Sequence, residues 1–510
     1  MTTPSLSKRI AHGALWHAGG QWGLKLLGLV HLAITARLLV PEAFGILAFS
    51  ASISEFAVLI MATTASTSLI RLERMDDSHI ATAFWLRAGL ALLFAAAFAA
   101  SAPSLSHYMQ TPGAWPVLAA MAGVMLIDNL TSTSIFARQR SLDMRPAVLT
   151  TIVRESVRIS VGITLALIFK SVWALVAAQA CGALAALAYS HTAAPQPFAP
   201  FKRSSLKDIA HVFRWGMVEH LGAVFFQRLD RLYLAGFVST NVLGIYSVVV
   251  ELALLPVNMI ISPMMSALLP GLKEAQNRGT GLPVEQIQTA LSLGIAVILP
   301  ASVGLALVAD WAVPLLLGPV WVEGVPILQA ASLIAFALGL FNLSKTTLVA
   351  AGYLRSVAAL SAGQGLLFVP LLYWGYTNWG LEGAAFMRGA TTFVCGLLAI
   401  GLLAYASQMR LLRKGFLTDC LSSLLAGGAM LGFVLAVKHG FNTQGTAPIT
   451  GMGAENAASA GALAPFLVSV AGGGAVYVGV RMLFWWLRGR PDALEKRLFT
   501  LLADLRQRRH

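Results

Sequence analysis

Charge is scarce in this chain: Asp, Glu, Lys and Arg make up 11% of its 510 residues, against roughly one quarter in soluble domains. That deficit, with 57% hydrophobic residues and a mean hydropathy of +0.74, excludes a soluble protein and predicts an all-α polytopic membrane protein. Cysteine is also rare. Cys181, Cys395 and Cys420 lie in apolar surroundings without CxxC or His-rich spacing, which argues against a disulfide framework and a zinc centre. His17, His31 and His220 are scattered and read as packing or cavity residues. No GxxxxGK[ST] loop, GxSxG elbow, HExxH pair or GxGxxG fingerprint occurs, so an ATPase, a serine hydrolase, a zinc protease and a dinucleotide enzyme have no motif here. A large charged exterior loop, where a membrane polymerase or ligase would hold its active site, is missing too. The longest such connection, 439–463, is rich in Gly, Ala and Thr and reads as a linker. The expectation is a non-enzyme without a cofactor.

What the chain has is apolar length. About 20 such residues cross roughly 30 Å of hydrocarbon. Fourteen windows of that kind run from 14–36 to 464–488, six before the polar stretch Pro195–His211 and eight after it. The first window shows no small-residue cleavage site and is expected to be a retained crossing. Lys and Arg crowd alternate connections: Lys8 and Arg9, Arg71 and Arg74, Arg138 to Arg145, Lys202 to Arg214, and so on to the C-terminal cluster. The connections between hold only Arg37, Lys170 and Lys438. By the positive-inside rule both termini are expected in the cytoplasm, at a bacterial inner membrane, and much of the +14 net charge is topological. In the tail, Leu494, Leu498, Leu501 and Leu505 recur at helical spacing among Lys496, Arg497 and Arg506. This pattern predicts a basic amphipathic helix whose partner is anionic lipid and not nucleic acid.

An internal repeat appears at an offset of about 199 to 208 residues. Phe44-Gly45-Ile46 corresponds to Leu243-Gly244-Ile245, and Trp173 to Gly182 corresponds to Leu381 to Gly389. Six crossings separate the copies, so they share one orientation and the implied axis lies along the membrane normal. The expected layout is a six-helix lobe at 1–194, a linker at 195–211, a second six-helix lobe at 212–410, two further helices at 411–490 and the tail at 491–510. The lobes are expected to be related by a parallel pseudo-two-fold.

Ionisable residues inside spans cost roughly 2.5 to 3.5 kcal/mol each, and they seldom face lipid. The windows hold Lys25, Arg87, Arg154, Arg158, Arg228, Arg231, Lys345, Arg388 and Arg481, with Glu55, Asp128, Glu155, Glu219, Asp230 and Glu251. Arg87, Arg154 and Lys345 lie within two turns of a cytoplasmic end, where snorkelling is the expectation. Lys25 is central, on one face with His17, Gln21 and Gly28, and reads as part of a cavity-lining stripe or of a buried polar seam. Gln227, Arg228, Asp230 and Arg231 form the densest cluster; the two arginines can share an anion-holding face, or Asp230 can bridge to a neighbouring helix. Arg154 and Arg158, with Glu155 between, offer a second cationic face, and Arg388 completes the candidate substrate contacts. Glu55, Asp128, Asp230 and Glu251 are candidates for proton or sodium coupling, or for balancing a nearby Arg. Nine bases against six acids favour an anionic passenger such as a lipid diphosphate, which Arg can grip with two parallel bonds. A drug or cation exporter would instead favour acids, and a structural scaffold would not need so many central charges.

The stretch Arg37-Leu38-Leu39-Val40-Pro41-Glu42-Ala43-Phe44-Gly45, Arg228-Leu229-Asp230-Arg231 and Leu243-Gly244-Ile245-Tyr246-Ser247 resemble polysaccharide flippases of the Wzx type. These belong to the multidrug/oligosaccharidyl-lipid/polysaccharide exporter superfamily. The resemblance covers residues 10 to 410 in layout. It implies a MATE-like fold with a central cationic cavity, an undecaprenyl-diphosphate-linked oligosaccharide as passenger, ion antiport as energy source, and polymerase or export machinery as partners. A lipid II flippase shares the same diphosphate logic. The family's coupling carboxylate has no residue-for-residue match here.

Overall fold

The computed structural model describes residues 23–62, 75–141, 143–197, 199–262, 284–407, 414–442 and 460–488, together with residues 69, 72 and 264. Among them there are helices and no strand. The helices are α1 (23–38), α2 (Pro41–Ala62), α3 (Asp77–Tyr108), α4 (Trp115–Asn129), α5 (Ser134–Arg140), α6 (Arg145–Phe169) and α7 (Val172–Ala193). They continue as α8 (Arg203–Leu234), α9 (Thr240–Ala253), α10 (Val284–Leu316), α11 (Val325–Ala350), α12 (Leu354–Ala406), α13 (Lys414–Asn442) and α14 (Ala460–Leu487). Eight of the described helical stretches are long and apolar enough to cross a membrane, or nine when α4 and α5, bent by 48°, are taken as one. Helices α6 and α8, with 25 and 32 residues, have the length but fall outside that number; they carry the charge clusters 154–158 and 228–231.

Local chemistry sets the ends of these helices. Asp76 caps α3 by accepting from the His79 backbone N–H at 3.0 Å, and the His79 ring returns to the Asp76 backbone, a reciprocal capping box. Hydrogen bonds from Ser78 and His79 hold the Asp76 carboxyl well below the usual carboxylate range. Pro146 enters at the first turn of α6, where its missing N–H costs nothing. The 53 residues of α12 would span roughly 80 Å if straight, far more than a bilayer needs. Gly380, at φ 62° and ψ −143°, divides them into arms 354–379 and 381–406, each of crossing length. Beside the break the chain is packed backbone on backbone: a Cβ on Gly383 would lie 2.1 Å from the Gly375 carbonyl oxygen. Gly380→Ala forces a side chain into a conformation nearly reserved for glycine and is expected to cost about 1 to 3 kcal/mol. A thermal midpoint in detergent equal to the parent's would contradict that.

The described residues form two compact units, one running to Val248 and including Ser361–Gly365, the other from Val249 onward. In the first, α6 packs along α7, α3 along α4, and α2 against both α4 and α8. Gly182 of α7 lets α6 approach closely, since a Cβ there would sit 2.9 Å from the Arg154 carbonyl oxygen. In the second, α10 is the hub, contacting α11, α13 and α14 around a core that includes Ile298, Leu343 and Phe341. Charged ties fasten α13 there. Lys438 pairs with Asp310 of α10 and lies over the Trp311 ring, while Gln329 donates to the other Asp310 oxygen at 3.0 Å. Arg488 reaches Asp419 at 3.3 Å.

Candidate functional site

Within the first unit, side chains from α2 to α7 line an open cavity of about 450 Å³. Met121, Val124, Met125 and Phe136 form an apolar wall, and Ser54, Glu55, Arg87, Asp128, Thr131 and Arg154 supply polar groups. Ionised groups beside an apolar wall are steadied by partners of opposite charge. Arg154 donates through Nη2 to Asp128 Oδ2 at 2.7 Å, joining α6 to α4. Arg87 is 6% exposed and donates through Nη2 to the Thr131 hydroxyl at 2.5 Å and the Asp128 carbonyl oxygen at 3.2 Å. Glu55 of α2 accepts from Arg228 of α8, whose Nε and Nη2 engage both carboxylate oxygens in a two-pronged pair. One turn beyond Arg154, Arg158 donates through Nε and Nη2 to Glu155 at 2.9 and 2.5 Å.

Arg87 corrects the snorkelling expectation. Its place near a helix end in the sequence says how deep it sits but not which way it faces, and it turns inward to pin the segment after α4. Arg154 likewise turns to an acid.

The cluster in α8 divides among three surroundings. Gln227 is exposed and Arg228 meets Glu55, while Arg231 is 1% exposed beside the fully buried Asp230. Asp230 accepts from the Tyr246 hydroxyl at 2.8 Å and from the Arg231 backbone N–H at 2.9 Å. Lys25 is half-buried on α1, and Gln21 lies outside the described residues. The second unit holds Arg388, 3% exposed on the later arm of α12, and Glu251, exposed on α9. The structure thus gathers Glu55, Asp128 and Arg154 at the cavity, with Arg228 paired to Glu55 and with Arg158 and Glu155 adjoining along α6. Sequence reasoning did not assign Arg87 or Thr131 to the site. Thr131, three residues beyond Asp128 at the end of a span, was the available signal.

Such a cavity needs a scaffold that buries charge within a bilayer. The chain superposes on an inward-closed lipid II flippase MurJ with a TM-score of 0.74 at 13% identity, covering 92% of this chain and 99% of that one. It also superposes on an inward-facing multidrug resistance MATE family transporter of the MOP superfamily, with a TM-score of 0.62 at 15% identity over 76% of this chain and 95% of that one. The chain therefore shares the fold of these two proteins, in a multi-pass membrane protein.

Sequence narrows the class further: the chain belongs to the polysaccharide biosynthesis protein family, whose model matches residues 34–326, more than half of its length. The succinoglycan biosynthesis transport protein ExoT of Rhizobium meliloti is 24% identical over 77% of this chain and 76% of its own. The lipopolysaccharide biosynthesis protein WzxC of Escherichia coli is 22% identical over 73% and 76%. The teichuronic acid biosynthesis protein TuaB of Bacillus subtilis is 21% identical over 84% and 90%.

Proposed function

We propose that the protein is a flippase that carries a polyprenyl-diphosphate-linked oligosaccharide from the cytoplasmic to the outer leaflet of a bacterial inner membrane by alternating access, for export of a surface polysaccharide. The observation that carries this reading is the charged cavity, every member of which lies inside the segment matched by the polysaccharide biosynthesis family. A diphosphate headgroup needs donors arranged as forks, and Arg154 and Arg228 present such forks, each held by a carboxylate. Phosphate oxygens can take the place of Asp128 and Glu55 without leaving either guanidinium bare at any stage. The carboxylates thereby act as exchangeable place-holders, and their release offers a point at which a proton or sodium ion enters the cycle. Lys25 and Arg231 in the first unit and Arg388 in the second are further candidate contacts. The lipid tail stays in the bilayer, which calls for no hydrolytic chemistry. Both termini lie in the cytoplasm, where the basic loops face anionic lipid, and a polysaccharide polymerase is the partner class that would consume the delivered unit.

Reconstitution tests this. In vesicles of phosphatidylethanolamine and phosphatidylglycerol, a fluorescent undecaprenyl-diphosphate oligosaccharide should exchange leaflets with the protein present and stay put without it. Exchange should persist when the diphosphate carries a different oligosaccharide and fall at least tenfold when a neutral lipid-linked sugar replaces it. Equal rates for neutral and diphosphate lipids would remove the reading, and transfer confined to a peptide-bearing lipid II would reassign it.

A further inference from the structure

The two copies of the internal repeat meet at their own equivalent residues. In the first copy α2 opens with Pro41 and reaches Gly45 one turn later; in the second α9 opens with Thr240 and reaches Gly244. Both pairs are separated by 199 residues, the lower bound of the repeat offset. A Cβ on Gly45 would lie 1.9 Å from the Thr240 carbonyl oxygen and 3.0 Å from the Gly244 nitrogen. A Cβ on Gly244 would lie 1.8 Å from the Pro41 carbonyl oxygen and 2.9 Å from the Gly45 nitrogen. Exchange of the copies turns each contact into the other, which is the mark of a two-fold passing between the two glycines.

The approach is backbone on backbone. With a Cα–Cβ bond of about 1.5 Å, each glycine Cα stands at most about 3.4 Å from the facing oxygen, the separation of a Cα–H···O contact. The same end of the unit carries a second set of ties. The Tyr108 hydroxyl donates to the Leu232 carbonyl oxygen at 3.0 Å, Gln110 donates to the Gly236 carbonyl oxygen at 3.3 Å, and the Thr111 and Thr240 hydroxyls lie 3.2 Å apart. These groups sit in or beside the connections that carry few cations, the ones the charge alternation assigns to the exterior.

We propose that Gly45 and Gly244 form a steric latch at the exterior mouth: the mouth closes only because neither position carries a side chain, and it opens by separation of α2 from α9 about that point. The inference rests on the alternating-access reading above, but its first test does not require transport. A closed state held by direct backbone contact is bistable, because one added methyl on either side removes the contact outright.

The test uses full-length protein in vesicles with Cys181, Cys395 and Cys420 replaced by alanine and one cysteine placed at Ser50, which is fully buried on α2. Its labelling by a membrane-impermeant maleimide added from the exterior face should be slow in this parent. Gly45→Ala and Gly244→Ala should each raise the rate about tenfold. Gly89→Ala, where a Cβ meets open space, should leave it unchanged. Labelling unaltered by both latch variants, or raised equally by Gly89→Ala, overturns the latch.

Should the alanine variants fail to fold, a Thr111→Cys/Thr240→Cys pair in the otherwise cysteine-free protein supplies a second arm. Oxidation should stop leaflet transfer and reduction should restore it, whereas full transfer by the cross-linked protein overturns the proposal. Absence of transfer even in the reduced parent, with the labelling differences intact, would count against the flippase reading alone.

Discussion

Arg228→Gln is expected to weaken binding of the lipid diphosphate tenfold to a hundredfold, and Glu55→Gln is expected to tighten it while slowing turnover. The opposite signs follow from the pair's geometry. Arg228 offers a fork to an anion, and loss of a charge-assisted contact of that kind is worth about 1.5 to 3 kcal/mol. Glu55 occupies the fork in the absence of substrate, so its neutralisation removes a competitor and also the group that displaces the product. A purely structural bridge behaves differently: both substitutions would lower stability by similar amounts and leave affinity where it was. Either single change should cost about 1 to 2 kcal/mol of stability, less than a fully buried pair, because the Glu55 side chain keeps 37% of its exposure. Titration of intrinsic fluorescence with the lipid diphosphate decides the matter, and a shift of the same sign in both variants would sink the exchange model.

The sequence carried the class of fold and the inventory of buried charge, because apolar length and the cost of an intramembrane ion are properties of single windows. Pairing is a property of the packed bundle. Glu55 and Arg228 stand 173 residues apart and meet only because α2 lies against α8, which no periodicity announces. Asp230, which the sequence offers as a bridge to a neighbouring helix or as a neighbour of the anion face, takes a hydroxyl from Tyr246 of α9, sixteen residues on. Asp310 and Lys438 lie at the ends of apolar stretches, where a lone charge reads as part of a connection, so neither stretch announces their pairing. The repeat was legible as a few similar letters, yet its meaning at Gly45 and Gly244 depended on distances. A glycine matched to a glycine says only that a side chain is absent in both copies, whereas the reciprocal contact says why.

Asp128→Asn is expected to be the most disruptive single change at the cavity wall, ahead of Arg154→Gln. The Asp128 carboxylate takes the bond from Arg154 and also acts electrostatically on Arg87, which is buried against the Asp128 carbonyl oxygen. One neutralised acid therefore leaves the buried Arg87 and the one-third-exposed Arg154 without their carboxylate, at a cost of about 2 to 3 kcal/mol once the exposure of Arg154 is discounted. Arg154→Gln leaves the carboxylate with Arg87 still at hand and should cost about 1 kcal/mol. The double variant Asp128→Asn/Arg154→Gln should then be more stable than Asp128→Asn alone, giving a coupling of about 1 to 3 kcal/mol in a double-mutant cycle read from thermal midpoints in detergent. Additive effects would mean that the three groups do not share one field. The same variant bears on energy coupling. Asp128 Oδ1 is buried without a hydrogen-bond partner among the described residues, a position open to a proton or a small cation. An entering cation would loosen both arginines together and ready them for phosphate. Asp128→Asn fixes that discharged state, so it should bind the lipid diphosphate more tightly than the parent and lose any dependence of leaflet transfer on pH or sodium. A variant that kept the parent's ion dependence would place the coupling group elsewhere in the chain.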